Sequence, residues 1–359
     1  MPLTDIQHMH HALALAERAL GRVAPNPAVG CVIVSREGRV VGRGWTQPGG
    51  RPHAERVALA QAGEGARGAT AYVTLEPCAH FGQTPPCADA LAAAGVARVV
   101  AAVEDPDPRV KGQGFAKLRS AGIEVTTGVL EKEAAALNAG FFLRVTQNRP
   151  LVTLKIAQSK DGKTIRKTGG KWITGEEARR FAHLLRAKHD AILVGIGTAL
   201  ADDPELTCRL PGLEARSPQR IVLDTELRLP PRSKLATTAR QVPVLVMTAA
   251  QGGDALRAQG VEMEGVAKTE SGGLDLAAVL RQLARRGITR LLVEGGATIA
   301  AAFLQADLVD RLEIFTAPIE LGDDGEGEIE GLAAARARAR VTETRMLGDD
   351  TLETCDLRA

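Results

Sequence analysis

The sequence feature that most constrains the fold is the motif His53-Ala54-Glu55, in which a histidine and a glutamate are two residues apart. Two cysteines, Cys78 and Cys87, follow it downstream. A chain that uses all four side chains must bring distant segments together at one point. One imidazole and two thiolates suit tetrahedral Zn²⁺ whose fourth position is left to water, as in catalytic sites. Glu55 lies close enough in sequence to move a proton from that water to a leaving amine. The pattern predicts an open zinc site with His53, Cys78 and Cys87 as ligands and Glu55 as the proton shuttle.

The spacing of these residues matches a known signature only in part. Zinc deaminases carry H-x-E followed by P-C-x-x-C, whereas eight residues separate Cys78 from Cys87 here. A loop closed by two consecutive prolines must therefore return the second sulfur to the metal. Two alternatives stay open: a buried histidine with two unreactive core cysteines, and a closed structural zinc site with His80 as the fourth ligand. The neighbouring Glu55 argues against the closed site.

Length, charge and composition limit the class of protein. A chain of 359 residues exceeds the size at which one core keeps growing, so two domains are expected. A net charge of +2 and 3% aromatic residues argue against a nucleic-acid partner, since single strands are bound by basic grooves and aromatic platforms. No leader-like N-terminus or apolar run of about 20 residues is seen, so no membrane association is expected. Five cysteines indicate reduced thiols and a cytoplasmic location, with Cys31, Cys208 and Cys355 interpreted as structural.

Helical and strand-like stretches alternate through the first half, which predicts an α/β sandwich with short connections. A helix capped by Thr4 or Asp5 precedes a hairpin over residues 29–45, which leads directly to His53. His53 and Cys78 are expected at the starts of helices, where the helix dipole favours thiolate charge.

Two loops of the first half are candidates for substrate contacts. Asn26 stands between two prolines that restrict its backbone, so its amide could be presented to a small heterocycle. An ordinary turn asparagine is the alternative. Asp105-Pro106-Asp107-Pro108 follows a strand end and either lines the cleft or forms a rigid turn.

A second domain is predicted to begin at Asn148-Arg149-Pro150, where the helical pattern breaks. Two glycine turns follow strands in this half. The first, Gly195-Ile196-Gly197, is not a dinucleotide fingerprint, because Leu200 occupies the third glycine position. The second, Glu294 to Thr298, precedes an apolar helical stretch, so its backbone N–H groups could cradle a phosphate at the helix N-terminus. A tight turn without a ligand is the alternative.

Several motifs resemble the bifunctional riboflavin-biosynthesis deaminase/reductase family. They include APNPAVG at 24–30, HAE at 53–55, PCAHFGQTPPC at 77–87, LKIAQSKDGKT at 154–164, WIT at 172–174 and LLVEGGATIAAAF at 291–303. The long gap between the cysteines is normal in that family. The resemblance implies an α/β chain with a cytidine-deaminase-like α/β/α sandwich over residues 1–147 and a dihydrofolate-reductase-like α/β domain over 148–359.

The resemblance implies two consecutive reactions on one small molecule, a pyrimidine ribosylamine phosphate. The first domain would use Zn²⁺ to hydrolyse the 2-amino group of a diaminopyrimidinone. The second would use NADPH to reduce the ring-opened ribosyl side chain to a ribityl chain. A homo-oligomer without nucleic-acid or membrane partners is expected. The alternative hypothesis is a zinc-site binding or regulatory protein without turnover.

The resemblance also implies roles for individual residues. Zinc would be held by His53, Cys78 and Cys87, with Glu55 as the proton shuttle and Asn26 and His80 on the pyrimidine. NADPH would be bound by Ala157, Trp172, Thr198, Asp202, Thr225, Gly296, Ala297, Thr298, Ile299, Ala300, Ala301 and Ala302. The reductase substrate would be held by Arg186, Leu206, Arg209 and Glu294. The family can place a substrate-contacting serine two residues before the tryptophan, where this chain has Gly170, and Asp202 and Glu294 are the candidates for protonating the sugar.

Overall fold

The computed structural model describes residues 4–81, 85–168, 170 and 172–358. The chain divides into two compact units, Met1–Asn148 and Arg149–Ala359. Of the helices in the described ranges, none is both long and apolar enough to cross a bilayer. Lys171, and Gly82, Gln83 and Thr84 of the motif between the two cysteines, lie outside the described residues.

The first unit is a five-stranded sheet with helices packed on it. Its strands are β1 (Gly30–Val34), β2 (Val40–Trp45), β3 (Thr70–Val73), β4 (Arg98–Ala101) and β5 (Glu124–Thr127), in the order β2-β1-β3-β4-β5. Its helices are α1 (Asp5–Glu17), α2 (Ala54–Ala62), α3 (Cys87–Ala93), α4 (Gln113–Ser120), α5 (Glu131–Leu137) and α6 (Ala139–Gln147). Thr4 caps α1 and forms a capping box with Gln7. β1 and β2 form the predicted hairpin, with Gly30 opposite Trp45.

Two glycines of β2 allow α2 to lie directly on the strand. A Cβ at Gly42 would lie 2.2 Å from the carbonyl oxygen of Ala58, and one at Gly44 would lie 2.1 Å from that of Ala54. Only glycine permits this approach of helix backbone to strand backbone. The start of α2, where His53 is the N-cap residue, is therefore fixed against the sheet.

The second unit contains a nine-stranded sheet and a separate two-stranded ribbon. Its strands are β6 (Leu151–Ser159), β7 (Ile165–Arg166), β8 (Ala191–Gly195), β9 (Gln219–Leu223), β10 (Val244–Thr248), β11 (Glu262–Gly265), β12 (Arg290–Val293), β13 (Arg311–Ala317), β14 (Gly325–Glu326), β15 (Arg340–Leu347) and β16 (Asp350–Asp356). Its helices are α7 (Glu176–Ala187), α8 (Ile196–Asp202), α9 (Lys234–Thr237), α10 (Asp254–Ala258), α11 (Leu276–Arg285), α12 (Ala297–Gln305) and α13 (Leu332–Arg338).

The strand order of the large sheet determines where a ligand is expected to bind. The order is β11-β10-β9-β8-β12-β6-β13-β16-β15, and the first seven strands run parallel. Every residue of β8 and β10 is buried, as is typical of a parallel sheet covered on both faces. Ligands of such sheets bind outside the carboxyl ends of the strands. The ribbon of β7 and β14 is separate from this sheet.

Candidate active sites

The three predicted zinc ligands converge in the first unit. His53 stands at the N-terminus of α2, Cys78 lies in the loop after β3, and Cys87 begins α3. The Nδ1 atom of His53 lies 3.7 Å from the sulfur of Cys78 and 3.4 Å from that of Cys87. Zinc bonds of about 2.05 Å to nitrogen and about 2.3 Å to sulfur at a tetrahedral angle require a nitrogen-to-sulfur distance of about 3.6 Å. The donor set and its spacing therefore fit zinc.

One expectation about this site is wrong, because Cys78 does not lie at the start of a helix. It lies instead beside the first residue of α3, and its sulfur accepts the backbone N–H of Cys87 at 3.2 Å. The Cys87 thiol and the His53 ring outweigh burial and lower the pKa of Cys78 to about 4. The thiolate that a metal requires is thus favoured at this position.

The two alternative interpretations of these residues fit the structure less well. Within the described part of the chain, the one group of metal-capable side chains is His53, Cys78 and Cys87, with ligand atoms all within 4.8 Å of one another. His80 is exposed and does not belong to this group. Three protein ligands leave the fourth tetrahedral position free for water or substrate, as a catalytic site requires.

Glu55 lies in the first turn of α2 and is only 3% exposed. Its carboxylate interacts with the Cys87 thiol. Burial and the neighbouring sulfur of Cys78 raise the pKa of Glu55 to about 7. A carboxyl group with a pKa near neutrality can both take up and release a proton, which general acid–base catalysis requires.

Asn26 is held beside the segment that leads to His53. A Cβ at Gly50 would lie 1.9 Å from the side-chain nitrogen of Asn26, and Gly50 has a φ of 84°, so the position favours glycine. The backbone N–H of Asn26 donates to the carbonyl of Val23 at 2.9 Å. Packing against Gly50 was not apparent from sequence, because nothing local links the two residues.

A second buried carboxylate, Glu76, supports the loop that follows β4. It accepts backbone N–H groups from Asp105, Gly112, Gly114 and Phe115 at 2.8–3.3 Å. Because Glu76 stands two residues before Cys78, it links that loop to the metal-binding segment.

The segment Asp105 to Pro108 forms a turn, and this turn lies near the metal-binding loop. Asp105 is buried and accepts the backbone N–H of Asp107 at 2.9 Å. The Arg109 guanidinium lowers the pKa of Asp107, and His80 contributes to the same shift. The turn therefore brings Asp107 within electrostatic range of His80, one of the residues expected to contact the pyrimidine.

A cleft of about 1840 Å³ opens at the carboxyl ends of the parallel strands in the second unit. Single drug-sized ligands occupy about 300–1,000 Å³, so this cleft has room for a dinucleotide and a second molecule. All but two of the residues expected to bind NADPH or the reductase substrate line it. The exceptions are Ala300, which is buried in the core, and Ala301.

A charged cluster lies at the centre of this cleft. Arg186 donates two parallel hydrogen bonds of 2.9 Å to Glu294, and a third of 3.0 Å to the carbonyl of Thr207. Burial opposes ionisation of Glu294, but the Arg186 guanidinium outweighs it and lowers the pKa to about 2. Glu294 is therefore ionised and a poor proton donor, and the fork of Arg186 is occupied by a carboxylate.

Lys155 joins this cluster and was not singled out from sequence. Its Nζ lies 3.9 Å from Oε2 of Glu294 and 5.7 Å from the ring centroid of Phe315. Its side chain is 19% exposed and lines the cleft. Burial lowers the pKa of Lys155 against the opposing effect of Glu294. An ammonium group with a lowered pKa gives up its proton more readily, which suits a general acid.

The two glycine turns of the second unit meet each other. The N–H of Gly296, the N-cap residue of α12, donates to the Thr198 hydroxyl in α8 at 3.1 Å. Ile299 packs where a Cβ of Gly195 or Gly295 would lie, so these two glycines serve packing. Gly296 has no side chain to cap the helix, and the first N–H groups of a helix have no partner within it. This end of α12 faces the cleft and suits a phosphate.

The remaining substrate candidates lie on loops around the cleft. Leu206 is buried and has a φ of 56°, in the left-handed region that bulky residues seldom adopt. Buried Arg220 holds this loop by donating to the carbonyl of Glu205 at 3.1 Å. Arg209 forms an exposed ion pair with Glu205 at 3.1 Å. Gly170 has a φ of 117°, so a serine would be strained there.

Comparisons with known proteins agree with both units. Residues 3–103 match the family model "Cytidine and deoxycytidylate deaminase zinc-binding region", and residues 150–352 match "RibD C-terminal domain". The chain is 44% identical over 353 residues to riboflavin biosynthesis protein RibD of Aquifex aeolicus, covering 96% of each. It is 44% identical over 337 residues to the Escherichia coli protein of that name, covering 90% of each.

Solved structures give the same result for the fold. The chain is similar to Acinetobacter baumannii RibD, with a TM-score of 0.87, 38% identity and 98% of each chain covered. It is also similar to the diaminohydroxyphosphoribosylaminopyrimidine deaminase/5-amino-6-(5-phosphoribosylamino)uracil reductase of Thermotoga maritima, with a TM-score of 0.86, 35% identity and 98% of each chain covered. The expected fold class, a deaminase-like unit followed by a reductase unit of dihydrofolate-reductase type, is confirmed.

Proposed function

The chain belongs to the RibD family of riboflavin-biosynthesis enzymes, and from that premise we propose how its residues divide the work of two reactions. It is a bifunctional enzyme that deaminates a diaminopyrimidine ribosylamine phosphate with zinc and reduces the ribosyl side chain of the product with NADPH. We assign deamination to residues 1–147 and reduction to residues 148–359. The convergence of His53, Cys78 and Cys87, with the Glu55 carboxylate interacting with the Cys87 thiol, carries the first assignment.

In the deaminase site, His53, Cys78 and Cys87 would hold zinc. When bound, the metal supplies Lewis-acid activation of water. Glu55 takes a proton at its carboxylate and hands it to the leaving amine, so that ammonia departs as a neutral molecule. Asn26 and His80 orient the pyrimidine ring. The packing of Gly50 against Asn26 fixes one of these contacts before the substrate arrives.

In the reductase site, NADPH would lie across the cleft with its pyrophosphate at the start of α12. When bound, it supplies the reducing equivalents. The net reduction also consumes one proton, and Lys155 is the residue that we assign to deliver it. Glu294 cannot, because Arg186 holds it ionised, but it keeps the Lys155 ammonium in place. Arg209 and Leu206 border the substrate.

Two cations at the other end of the cleft suit the phosphate that distinguishes NADPH from NADH. Arg228 and Lys234 line the cleft beyond β9, beside Thr225. Within the described ranges, neither side chain has an acidic partner. β9 and β12 are separated only by β8, so this end lies about 10 Å from the start of α12 at the usual strand spacing. An extended dinucleotide spans that distance.

We therefore expect the double variant Arg228→Ala/Lys234→Ala to lose its preference for NADPH. Loss of charge-assisted hydrogen bonds to a phosphate should weaken NADPH binding about 10- to 100-fold and leave NADH binding unchanged. Fluorescence titration of both dinucleotides measures the two dissociation constants. Arg232→Ala is the matched control, since Arg232 is exposed and does not line the cleft. Equal weakening of NADPH and NADH would refute the assignment.

We also propose that the enzyme is a cytoplasmic homo-oligomer. All five cysteines are free thiols, which suits a reducing compartment. The edge strand β15 is exposed along nearly its whole length, and its outer edge has no strand partner among the described residues. Val341 and Met346 on this strand are 52% and 61% exposed. A long edge strand with exposed apolar side chains suits pairing with a second copy.

Light scattering after size exclusion should therefore report a multiple of the 37.8 kDa chain mass. Val341→Lys/Met346→Lys should shift the protein toward the monomer, because lysine on an edge strand opposes pairing. Leu200→Lys, at another exposed apolar side chain, should leave the mass unchanged. A wild-type monomer, or an oligomer that the β15 variant does not affect, would exclude this surface.

A further inference from the structure

Two segments of the second unit form a charged strap beside the reductase cleft. The strap consists of residues 159–168, which follow β6, and residues 319–328. They are joined by the pairing of β7 with β14, in which Arg166 lies opposite Gly325. Thr164, Ile165 and Arg166 line the cleft. The strap is therefore part of the cleft wall.

The lysines of the strap are all matched by acidic residues across it. Each lysine of the first segment pairs with a glutamate of the second: Lys160 with Glu320 at 3.1 Å, Lys163 with Glu328 at 2.5 Å and Lys167 with Glu326 at 3.9 Å. These lysines already have acidic partners within the strap, and the pairs of Lys160 and Lys167 are exposed and contribute little to stability. None of the three lines the cleft.

Arg166 is the exception among the cations of the strap. Its partner across the ribbon is Gly325, which offers no side chain. Its side chain is half-buried and makes no hydrogen bond or ion pair with any residue that the structure describes. A guanidinium has five N–H donors, and partly buried polar groups normally find partners. An arginine in a cleft wall whose side-chain donors find no partner among the described residues suits an anionic ligand in the cleft.

The other arginines near the reaction centre are already engaged. Arg186 is committed to Glu294, and Arg209 is paired with Glu205. The strap leaves the carboxyl end of β6, the strand that carries Lys155, and β6 lies between β12 and β13. Arg166 is therefore on the Lys155 side of the cleft. The phosphates of NADPH are assigned to the turn after β12 and to the end of the cleft beyond β9. Both β12 and β9 lie on the side of β6 away from β13.

We propose that Arg166 is a substrate-binding residue that takes the 5-phosphate of the ribosylamine substrate. The guanidinium fork matches a phosphate monoester and forms paired charge-assisted hydrogen bonds with it. This inference rests on the proposed position of the reacting sugar at Lys155. Arg166 does not act on the reacting atoms, and its effect is expected in substrate affinity.

The test uses the full chain and the deaminated intermediate, with and without its phosphate. Arg166→Ala should raise the KM for the phosphorylated intermediate about 10- to 100-fold and leave kcat within about twofold. The KM for the dephosphorylated intermediate should not change, so the preference for phosphate disappears. Lys167→Ala, which removes the adjacent cation that faces Glu326, is the matched control and should behave as wild type. Titration of the phosphorylated ribityl product onto the NADP⁺-bound protein gives the same comparison without turnover.

Other outcomes separate the possible errors. Equal weakening of both forms of the intermediate, no change in either, or weakened NADPH binding would overturn the role of Arg166. If Arg166→Ala does not fold, Arg166→Gln replaces it, and unchanged phosphate preference in that variant is equally decisive. If the wild-type chain does not reduce the intermediate at all, the assignment of the cleft fails before the question of Arg166 arises.

Discussion

Glu55→Gln should lower the rate of ammonia release about 10²- to 10⁴-fold, while the same protein still oxidises NADPH when given the deaminated intermediate. Glutamine keeps the shape of the side chain but cannot take up a proton and hand it on. General acid–base catalysis contributes about 10²- to 10⁴-fold, so deamination should fall by that factor. The substitution also removes a buried carboxyl group and strands no charge, so the fold should be retained. Ammonia release and NADPH oxidation are measured on the same preparation.

Two controls make this result specific. Metal analysis should find one zinc per chain in both wild type and variant, because we assign Glu55 to proton transfer and not to metal binding. Glu64→Gln, at an exposed glutamate just beyond α2, should leave both activities unchanged. If deamination and reduction fell together with zinc and fold intact, the division of the two reactions between the units would be wrong. If the wild-type protein contained zinc but released no ammonia, even in a single turnover, a zinc-site binding protein without turnover would be favoured instead.

The zinc site was predictable because its chemistry restricts the residue types. An imidazole and two thiolates form a known catalytic zinc ligand set, and here these ligands and the nearby carboxylate lie in short motifs. Glu76 and Gly50 were not predictable in the same way. Glu76 binds backbone N–H groups 29 to 39 residues further along the chain, and Gly50 is required by Asn26 across a loop. Roles created by tertiary packing leave no local signal.

In the reductase cleft, the resemblance implies a continuous run of NADPH-binding residues, but only some residues of that run line the cleft. The stretch 296–302 was expected to bind NADPH as a whole, yet successive helical residues point in different directions. Ala300 is buried in the core, while Ala297 and Thr298 line the cleft. Arg186 is expected from the resemblance to hold the substrate, and in the structure its guanidinium fork binds Glu294. Lys155 is not predictable in this way, because a single lysine in an apolar strand gives no periodic signal.

Lys155→Met should lower the kcat of reduction about 10²- to 10⁴-fold, the range expected for loss of a general acid. Methionine fills the space of the lysine stem without its ammonium. Glu294 is not left as an uncompensated buried charge, because its two hydrogen bonds from Arg186 remain. NADPH binding, measured by fluorescence titration, should change little. Deamination should not change at all, and Lys160→Met, at an exposed lysine that does not line the cleft, should affect neither activity.

The pH dependence of reduction separates proton delivery from simple charge placement. A general acid works only in its protonated form, so the wild-type kcat should be lost as pH rises through the pKa of Lys155. Burial lowers that pKa below the ordinary value for lysine, so the loss should begin at lower pH than for an exposed amine. The Lys155→Met variant should lack this alkaline limb. If the limb persisted, or if only KM rose, Lys155 would bind the substrate without donating the proton, and Asp202, which also lines the cleft, would become the next residue to test.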